Sequence, residues 1–216
     1  MTPIRVLIVD DHTIVREGLA VIIGSAHGMR VAGEASDGRE ALHLAGLLRP
    51  DVAVMDIALP ALNGIEAARL IRENFPEVKI LMLTMYHTSE HIYRSIQAGA
   101  HGYILKESAG AEIVSAIREI MAGKHYFGKG VEAPFITGED SFLNIAKGPL
   151  DSLSRREKEV LQLVVEGKTS AEIAAVLGLS RKSVETYRSR LMQKLGISDI
   201  ASLVKFAIQH GITSSL

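Results

Sequence analysis

Residues 4–11 read Ile-Arg-Val-Leu-Ile-Val-Asp-Asp, a short apolar run that stops on two adjacent carboxylates. A run this short and this rich in Ile, Val and Leu reads as a buried strand. The pattern recurs downstream. Val52–Met55 ends against Asp56, Lys79–Thr84 ends on a hydroxyl, Gly102–Leu105 ends against Lys106, and a weaker run lies at Arg30–Glu34. Between these runs the apolar residues change to helical spacing. Ala41, Leu44, Ala45 and Leu48 form one such set, Ile65, Ala68, Leu70 and Ile71 a second, and Ile113, Ala116, Ile117 and Ile120 a third. Five strands alternating with five helices predict a doubly wound α/β fold: a five-stranded parallel sheet covered on both faces. In such sheets ligands sit outside the carboxyl ends of the strands.

Composition narrows the class. The chain has 216 residues, 47% hydrophobic and 23% charged, which excludes disorder and collagen-like structure and leaves room for one large domain or two small ones. It contains no cysteine, so a disulfide framework, a thiolate zinc site and a cysteine nucleophile are all excluded. The longest stretch without Asp, Glu, Lys or Arg runs from Gly18 to Met29, too short to span a bilayer. No cleavable signal is visible, and a cytoplasmic protein with no membrane partner is expected. The net charge of −1 is spread unevenly. Residues 1–124 hold 12 Lys/Arg against 15 Asp/Glu, residues 125–149 hold 2 against 3, and residues 150–216 hold 10 against 7. An acidic front and a basic tail suggest two domains with different partners.

The boundary is legible in the punctuation. From residue 125 to 149 periodicity fails, and Gly128, Gly130, Gly138 and Gly148 cluster with Pro134 and Pro149. This is expected to be a linker, one in which Tyr126, Phe127, Phe135 and Phe142 are able to dock on a neighbour. The tail, residues 150–216, then reads as four helices near 155–166, 170–177, 181–195 and 199–210. Ser154 with Glu157, and Thr169 with Glu172, have capping-box spacing. Gly167, Gly178, Gly196 and Gly211 fall where helix C-termini favour positive φ. A short helix, a Gly-containing turn and a longer helix make a helix-turn-helix candidate.

The strand ends carry the chemistry. Asp10 and Asp11 end the first strand and Asp56 the third, which lie side by side in a doubly wound sheet. Three carboxylates on one edge repel and raise one another's pKa unless a cation is present, and a hard divalent ion, Mg²⁺, resolves the conflict. Thr84 adds a hydroxyl and Lys106 an ammonium. Together these groups suit a phosphoryl group, with an Asp oxygen as nucleophile. A single strand-end Asp is ordinarily a turn or cap residue; five such groups on one edge are not explained that way. A phosphatase of the haloacid dehalogenase type is the nearest competing chemistry. It needs a second Asp two residues after the nucleophile as general acid, and here that position is Ala58. A long-lived acyl phosphate, and a switch in place of an enzyme, is therefore expected.

The Asp10-Asp11 pair, Asp56 within Met-Asp-Ile-Ala-Leu-Pro-Ala-Leu-Asn-Gly (55–64), Thr84, and Gly-Tyr-Ile-Leu-Lys (102–106) resemble a two-component receiver domain of flavodoxin-like fold over residues 4–122. The resemblance implies that Asp56 accepts a phosphoryl group from a histidine kinase. It implies that Asp11, Asp56 and the Ala58 carbonyl hold Mg²⁺, with Asp10 acting mostly through water. It also implies that Lys106 pairs with the phosphoryl group, that Thr84 hydrogen-bonds to it, and that Tyr103 reports the switch by turning inward.

In the tail, Val184, Tyr187, Leu191 and Leu195 share one face of helix 181–195, and Lys182, Thr186, Ser189, Arg190 and Gln193 the other. Arg181–Lys194 carries five positive charges and one negative. Short hydroxyls among arginines suit a major groove, where phosphates attract and base edges are read. Residues Leu153–Ala207 resemble the LuxR-type helix-turn-helix of NarL/FixJ response regulators, through Leu-Ser-Arg-Arg-Glu (153–157), Glu172-Ile173-Ala174, Ser183-Val184-Glu185-Thr186-Tyr187 and Lys194-Leu195-Gly196. The resemblance implies double-stranded promoter DNA as ligand. Glu185, Thr186 and Ser189 then occupy base-reading positions, and Arg188, Arg190 and Lys194 are candidate phosphate contacts. Lys182 joins them from its place on the face alone. Arg188 lies near the core side and must snorkel outward. Leu203, Val204, Ala207 and Ile208 on the last helix are to be divided between core and a homodimer contact formed on phosphorylation. RNA polymerase is the expected downstream partner. A receiver that works only through protein contacts remains the alternative. His87 and His91, four residues apart, are expected on an exposed helical surface.

Overall fold

In a computed structural model the chain divides into two compact units, Met1–Asn144 and Ile145–Leu216. The structure describes residues 2–131 of the first and 148–213 of the second.

The first unit is a parallel sheet in the order β2-β1-β3-β4-β5-β6, from β2 (Met29–Ala35), β1 (Ile4–Val9), β3 (Val52–Met55), β4 (Lys79–Thr84) and β5 (Gly102–Leu105) to β6 (Tyr126–Phe127). The helices are α1 (Thr13–Ser25), α2 (Gly38–Leu48), α3 (Gly64–Asn74), α4 (Ser89–Gln97) and α5 (Ala109–Met121). Strand side chains alternate between faces, so each strand feeds two cores. Leu7, Val9, Ala53, Met55, Ile80 and Met82 pack with α2, α3 and α4 residues. Val6, Ile8, Val52, Val54, Leu81 and Leu83 pack with Leu19 and Ile23 of α1 and Ile113, Ala116, Ile117 and Ile120 of α5. Each fully buried Leu, Ile or Val contributes roughly 1.5–3 kcal/mol, which explains the near absence of polar residues from these strands.

Among the described residues the sheet has six strands, not the five expected. After α5 the chain turns at Gly123, φ 81°, and returns along the free edge of β5. There the Tyr126 N–H donates to the His101 carbonyl at 3.1 Å and the Gly128 N–H to the Tyr103 carbonyl at 2.9 Å. Two residues placed by their composition in the linker thus satisfy backbone groups that an edge strand would leave unpaired. Phe135 and Phe142 lie outside the described residues.

The second unit follows its punctuation closely. Its helices are α6 (Arg155–Val165), α7 (Ser170–Leu177), α8 (Arg181–Leu195) and α9 (Ile200–Gln209). Both capping boxes form: Glu157 accepts from the Ser154 N–H at 2.7 Å and Glu172 from the Thr169 N–H at 2.8 Å. Gly178 and Gly196 end α7 and α8 in the left-handed region.

Backbone constraints set the loop that follows Asp56. A Cβ on Gly64 would lie 1.8 Å from the Asp56 carbonyl oxygen, so only glycine lets α3 start this close to the strand end. Ala61 in the same loop has φ 61°, a conformation costing a non-glycine residue roughly 1–2 kcal/mol. Gly64→Ala should destabilise the first unit by about 3 kcal/mol. Ala61→Gly should stabilise it by about 1 kcal/mol once the added unfolded-state freedom of glycine is subtracted. Denaturant unfolding of the full chain measures both.

His101, between α4 and β5, accepts the Ile80 N–H on Nδ1 at 3.2 Å. Burial, then Lys79, Arg72 and His125, push its pKa from 6.5 down to about 4. The unfolded chain therefore takes up this proton first, and the stability contributed by the neutral ring, fully present above pH 6.5, is lost progressively as pH falls toward about 4. His101→Asn, which keeps an acceptor but not the titration, should flatten the loss over that interval in unfolding midpoints measured against pH.

Candidate phosphoryl and DNA sites

β1 and β3 end side by side, with the Asp56 N–H donating to the Val9 carbonyl at 2.9 Å. That pairing brings Asp10 (1% exposed) against Asp56 (4%). The Lys106 ammonium lies 2.7 Å from Asp10 Oδ2 and 2.7 Å from Asp56 Oδ2. The Ile57 N–H donates to Asp56 Oδ1 at 2.6 Å. Burial pushes the Asp56 carboxyl above the usual range, against the pull of Lys106 and with a smaller push from Asp10. Lys106 is shifted up: burial opposes its charge, but Asp56 and Asp10 outweigh burial.

Asp10, Asp11, Asp56 and His12 offer ligand atoms that all lie within 4.8 Å of one another. Three carboxylates in this space are the hard oxygen donors that a divalent cation such as Mg²⁺ takes. Ala58, buried two residues after Asp56, places its peptide in the same loop. His12 was not singled out by the sequence reading, although it follows the acidic pair directly. Its Nδ1 lies 2.7 Å from Asp11 Oδ1 and 3.2 Å from Asp10 Oδ1. Arg16 was missed as well. One turn into α1, its guanidinium donates to the Asp10 carbonyl at 2.7 Å, fixing the peptide between the two acids.

Thr84 ends β4 fully buried, and its hydroxyl accepts the Tyr86 N–H at 3.2 Å. Tyr103 is 1% exposed, and its hydroxyl donates to the Tyr86 carbonyl at 2.6 Å. Its ring is thus turned inward, and burial, followed by the charge of Asp56 and then Tyr86, pushes its pKa up. A cavity of about 170 Å³ lined by Thr84, Met85, His87, Leu105, Lys106 and Glu107 opens beside them. The expectation of an exposed surface fails for His91. It is buried, stacked on Tyr86 at 4.6 Å with Nδ1 2.6 Å from Thr88 Oγ1.

In the second unit, Val184 and Leu191 of α8 are buried, with Tyr187 and Leu195 partly so against the same core. Lys182, Glu185, Thr186, Ser189, Arg190 and Lys194 are exposed, and Arg188 is half-buried on the flank. Thr186 donates its hydroxyl to the Lys182 carbonyl at 2.9 Å, and Glu185 accepts from Arg181 at 3.2 Å. Lys194 has partners inside its own unit: Nζ donates to Glu157 Oε2 at 2.7 Å and to the Ser152 carbonyl at 3.1 Å. Burial pushes the Glu157 carboxyl up, but Lys194 and Ser154 outweigh it and leave it below the usual range. On α9, Leu203 and Ala207 are core, while Val204 and Ile208 remain partly exposed.

Known proteins share this organisation. Residues 6–118 match the response regulator receiver domain family, and residues 151–207 match the luxR family of bacterial regulatory proteins. The transcriptional regulatory protein MctR of Rhizobium johnstonii is 38% identical over 213 residues, covering 99% of this chain and 97% of MctR. The response regulator UvrY of Escherichia coli K12 is 36% identical, covering 98% of this chain and 97% of UvrY. A solved complex of the two-component response regulator RcsB with DNA superposes with a TM-score of 0.58 at 26% identity, covering 97% of this chain and 99% of that one. With both domain families matched in order along its length, the chain belongs to the two-component response regulators of the NarL/FixJ class, DNA-binding transcription regulators that join a receiver domain to a LuxR-type helix-turn-helix.

Proposed function

We propose that Asp56 accepts a phosphoryl group from a histidine kinase in the cytoplasm, and that this modification controls dimerisation and binding to promoter DNA, where RNA polymerase is the downstream partner. The division of labour is a receiver over residues 1–124, a linker over 125–149 whose first residues dock as β6, and a DNA-binding domain over 150–216. The observation that carries the reading is the ammonium of Lys106 bridging two buried carboxylates at 2.7 Å each.

Asp56 Oδ2 is the nucleophile. Its bond to phosphorus forms as the P–N bond to the kinase imidazole breaks, and the imidazole nitrogen takes up the electron pair of that bond. Asp11, Asp56 and the Ala58 carbonyl would hold Mg²⁺ directly and Asp10 through water; when bound, the ion supplies charge neutralisation to the transferring group. Lys106 then exchanges its contact with Asp56 for one with a phosphoryl oxygen. Thr84 turns its hydroxyl to another, giving up the Tyr86 N–H. Because Tyr86 also receives the Tyr103 hydroxyl, movement at Thr84 is felt at Tyr103 and along α4 and β5. The two arrangements are populated in proportion to the contacts each makes with the phosphoryl group.

On the DNA side, Glu185, Thr186 and Ser189 read base edges, and Lys182, Arg188, Arg190 and Lys194 meet phosphates, Lys194 by exchanging Glu157 for the backbone of DNA. Val204 and Ile208, with Ile200 beside them, pair two copies, which sets two half-sites about one helical turn apart.

Incubation with acetyl phosphate and Mg²⁺ should label the chain to one phosphoryl group per molecule, and Asp56→Asn should abolish the label on a phosphate-affinity gel. A label that persists in Asp56→Asn refutes the assignment. In a selection of bound fragments, Thr186→Ala and Ser189→Ala should change the preferred sequence. Arg190→Ala should instead weaken all sequences alike and lower the salt-dependence slope by about 1. Sequence preference unchanged by both hydroxyl substitutions removes α8 from base reading.

A further inference from the structure

The sixth strand changes what surrounds the switch residue. Tyr103 pairs with Met82 of β4 on one side and with Phe127 of β6 on the other. Laterally paired residues of a parallel sheet point to the same face, and Tyr103 and Phe127 both pack in the core beneath α2, α3 and α4. The Tyr103 ring leans to the β4 side, where its hydroxyl meets the Tyr86 carbonyl. Side chains move between staggered wells, and the well that carries this ring away from β4 points it toward β6. Phe127 stands on that side, paired with Tyr103 across the ladder and partly buried against the same core.

β6 is fastened independently of Tyr103's ring. Its backbone bonds run to the His101 and Tyr103 carbonyls. The carboxylate of Glu112, a buried α5 residue, accepts the Lys129 N–H at 3.3 Å and the Tyr126 hydroxyl at 3.4 Å. A Cβ on Gly128 would lie 2.6 Å from Glu112 Oε2, so glycine allows this close approach.

We propose that Phe127 is a positioning residue of the switch: docked in β6, it bars Tyr103 from turning outward, so that docking of β6 and phosphorylation of Asp56 favour one another. Linkage makes the effect reciprocal. Whatever holds β6 on the sheet raises the population competent for phosphorylation, and phosphorylation strengthens the hold on β6. The linker is then part of the switch and not only a tether. This deepens the function proposed above and rests on it.

The test uses the full chain labelled with 3-fluorotyrosine, the Tyr103 resonance being assigned by its loss in Tyr103→Phe. Phe127→Ala should shift or split that resonance as the ring gains an outward position. It should also slow labelling by acetyl phosphate about fivefold, the low end of coupling between linked sites. Phe127→Leu should restore most of both. Glu112→Ala, which leaves Phe127 in place and loosens its strand, should move the resonance in the same direction. An unchanged Tyr103 resonance in both Phe127→Ala and Glu112→Ala, in chains shown by thermal unfolding to be folded, overturns the proposal. The fluorine signal is read without phosphorylation, so it is separate from the function itself, whose failure would show as absent labelling of the unsubstituted chain.

Discussion

The first unit is organised around one partly buried cation, the Lys106 ammonium. Without the Lys106 ammonium, Asp10 and Asp56 would face each other across adjacent strands in a site that water scarcely reaches. Such a pair costs several kcal/mol unless one member protonates. With it, each acid has an ionic partner at 2.7 Å, and the strand ends stay closed. The arrangement is also incomplete by design: one ammonium between two carboxylates leaves a net negative charge that a divalent ion is suited to meet. The same constraint explains the neighbours. Arg16 pins the peptide between Asp10 and Asp11, and Gly64 brings α3 against the carbonyl of Asp56. The sheet serves as the jig that holds these groups in register.

The second unit is built on a different balance. Its helices are short, and its core is a single cluster of aliphatic side chains from four helices and the turn before them. The exposed face of α8 therefore contributes little to folding and is free to carry hydroxyls and cations for another purpose. Lys194 is the exception. Its bond to the buried Glu157 ties the last turn of α8 to the start of α6, so that one residue both orients the helix and stands near its polar face.

Most of the fold was legible because burial on both sides of a parallel sheet forces continuous apolar runs, and because capping boxes and C-terminal glycines mark helix ends chemically. β1, β3, β4 and β5 stand at the residues read from the sequence. The meeting of Asp10, Asp56 and Lys106 was legible too, since strand ends in this topology share an edge. The rest depended on contacts that leave no local signal. β6 has two residues, too few for any periodicity, and forms only because β5 offers an open edge. His91 was read as surface because no third metal ligand stood near it and His87, yet it is buried and stacked on Tyr86. The Lys194–Glu157 pair spans 37 positions, and the Arg16 guanidinium acts on a carbonyl, an atom every residue has.

Tyr86 extends that last point. Its N–H serves the hydroxyl of Thr84 and its carbonyl the hydroxyl of Tyr103, so two side chains on different strands are both bonded to the backbone of a third residue. These bonds use only backbone atoms, so they make no demand of their own on the side chain at position 86. Only proline, which lacks the N–H, removes one of them outright. The link itself therefore carries no signature in residue identity, while the ring at that position is held to a separate task, its stacking on His91.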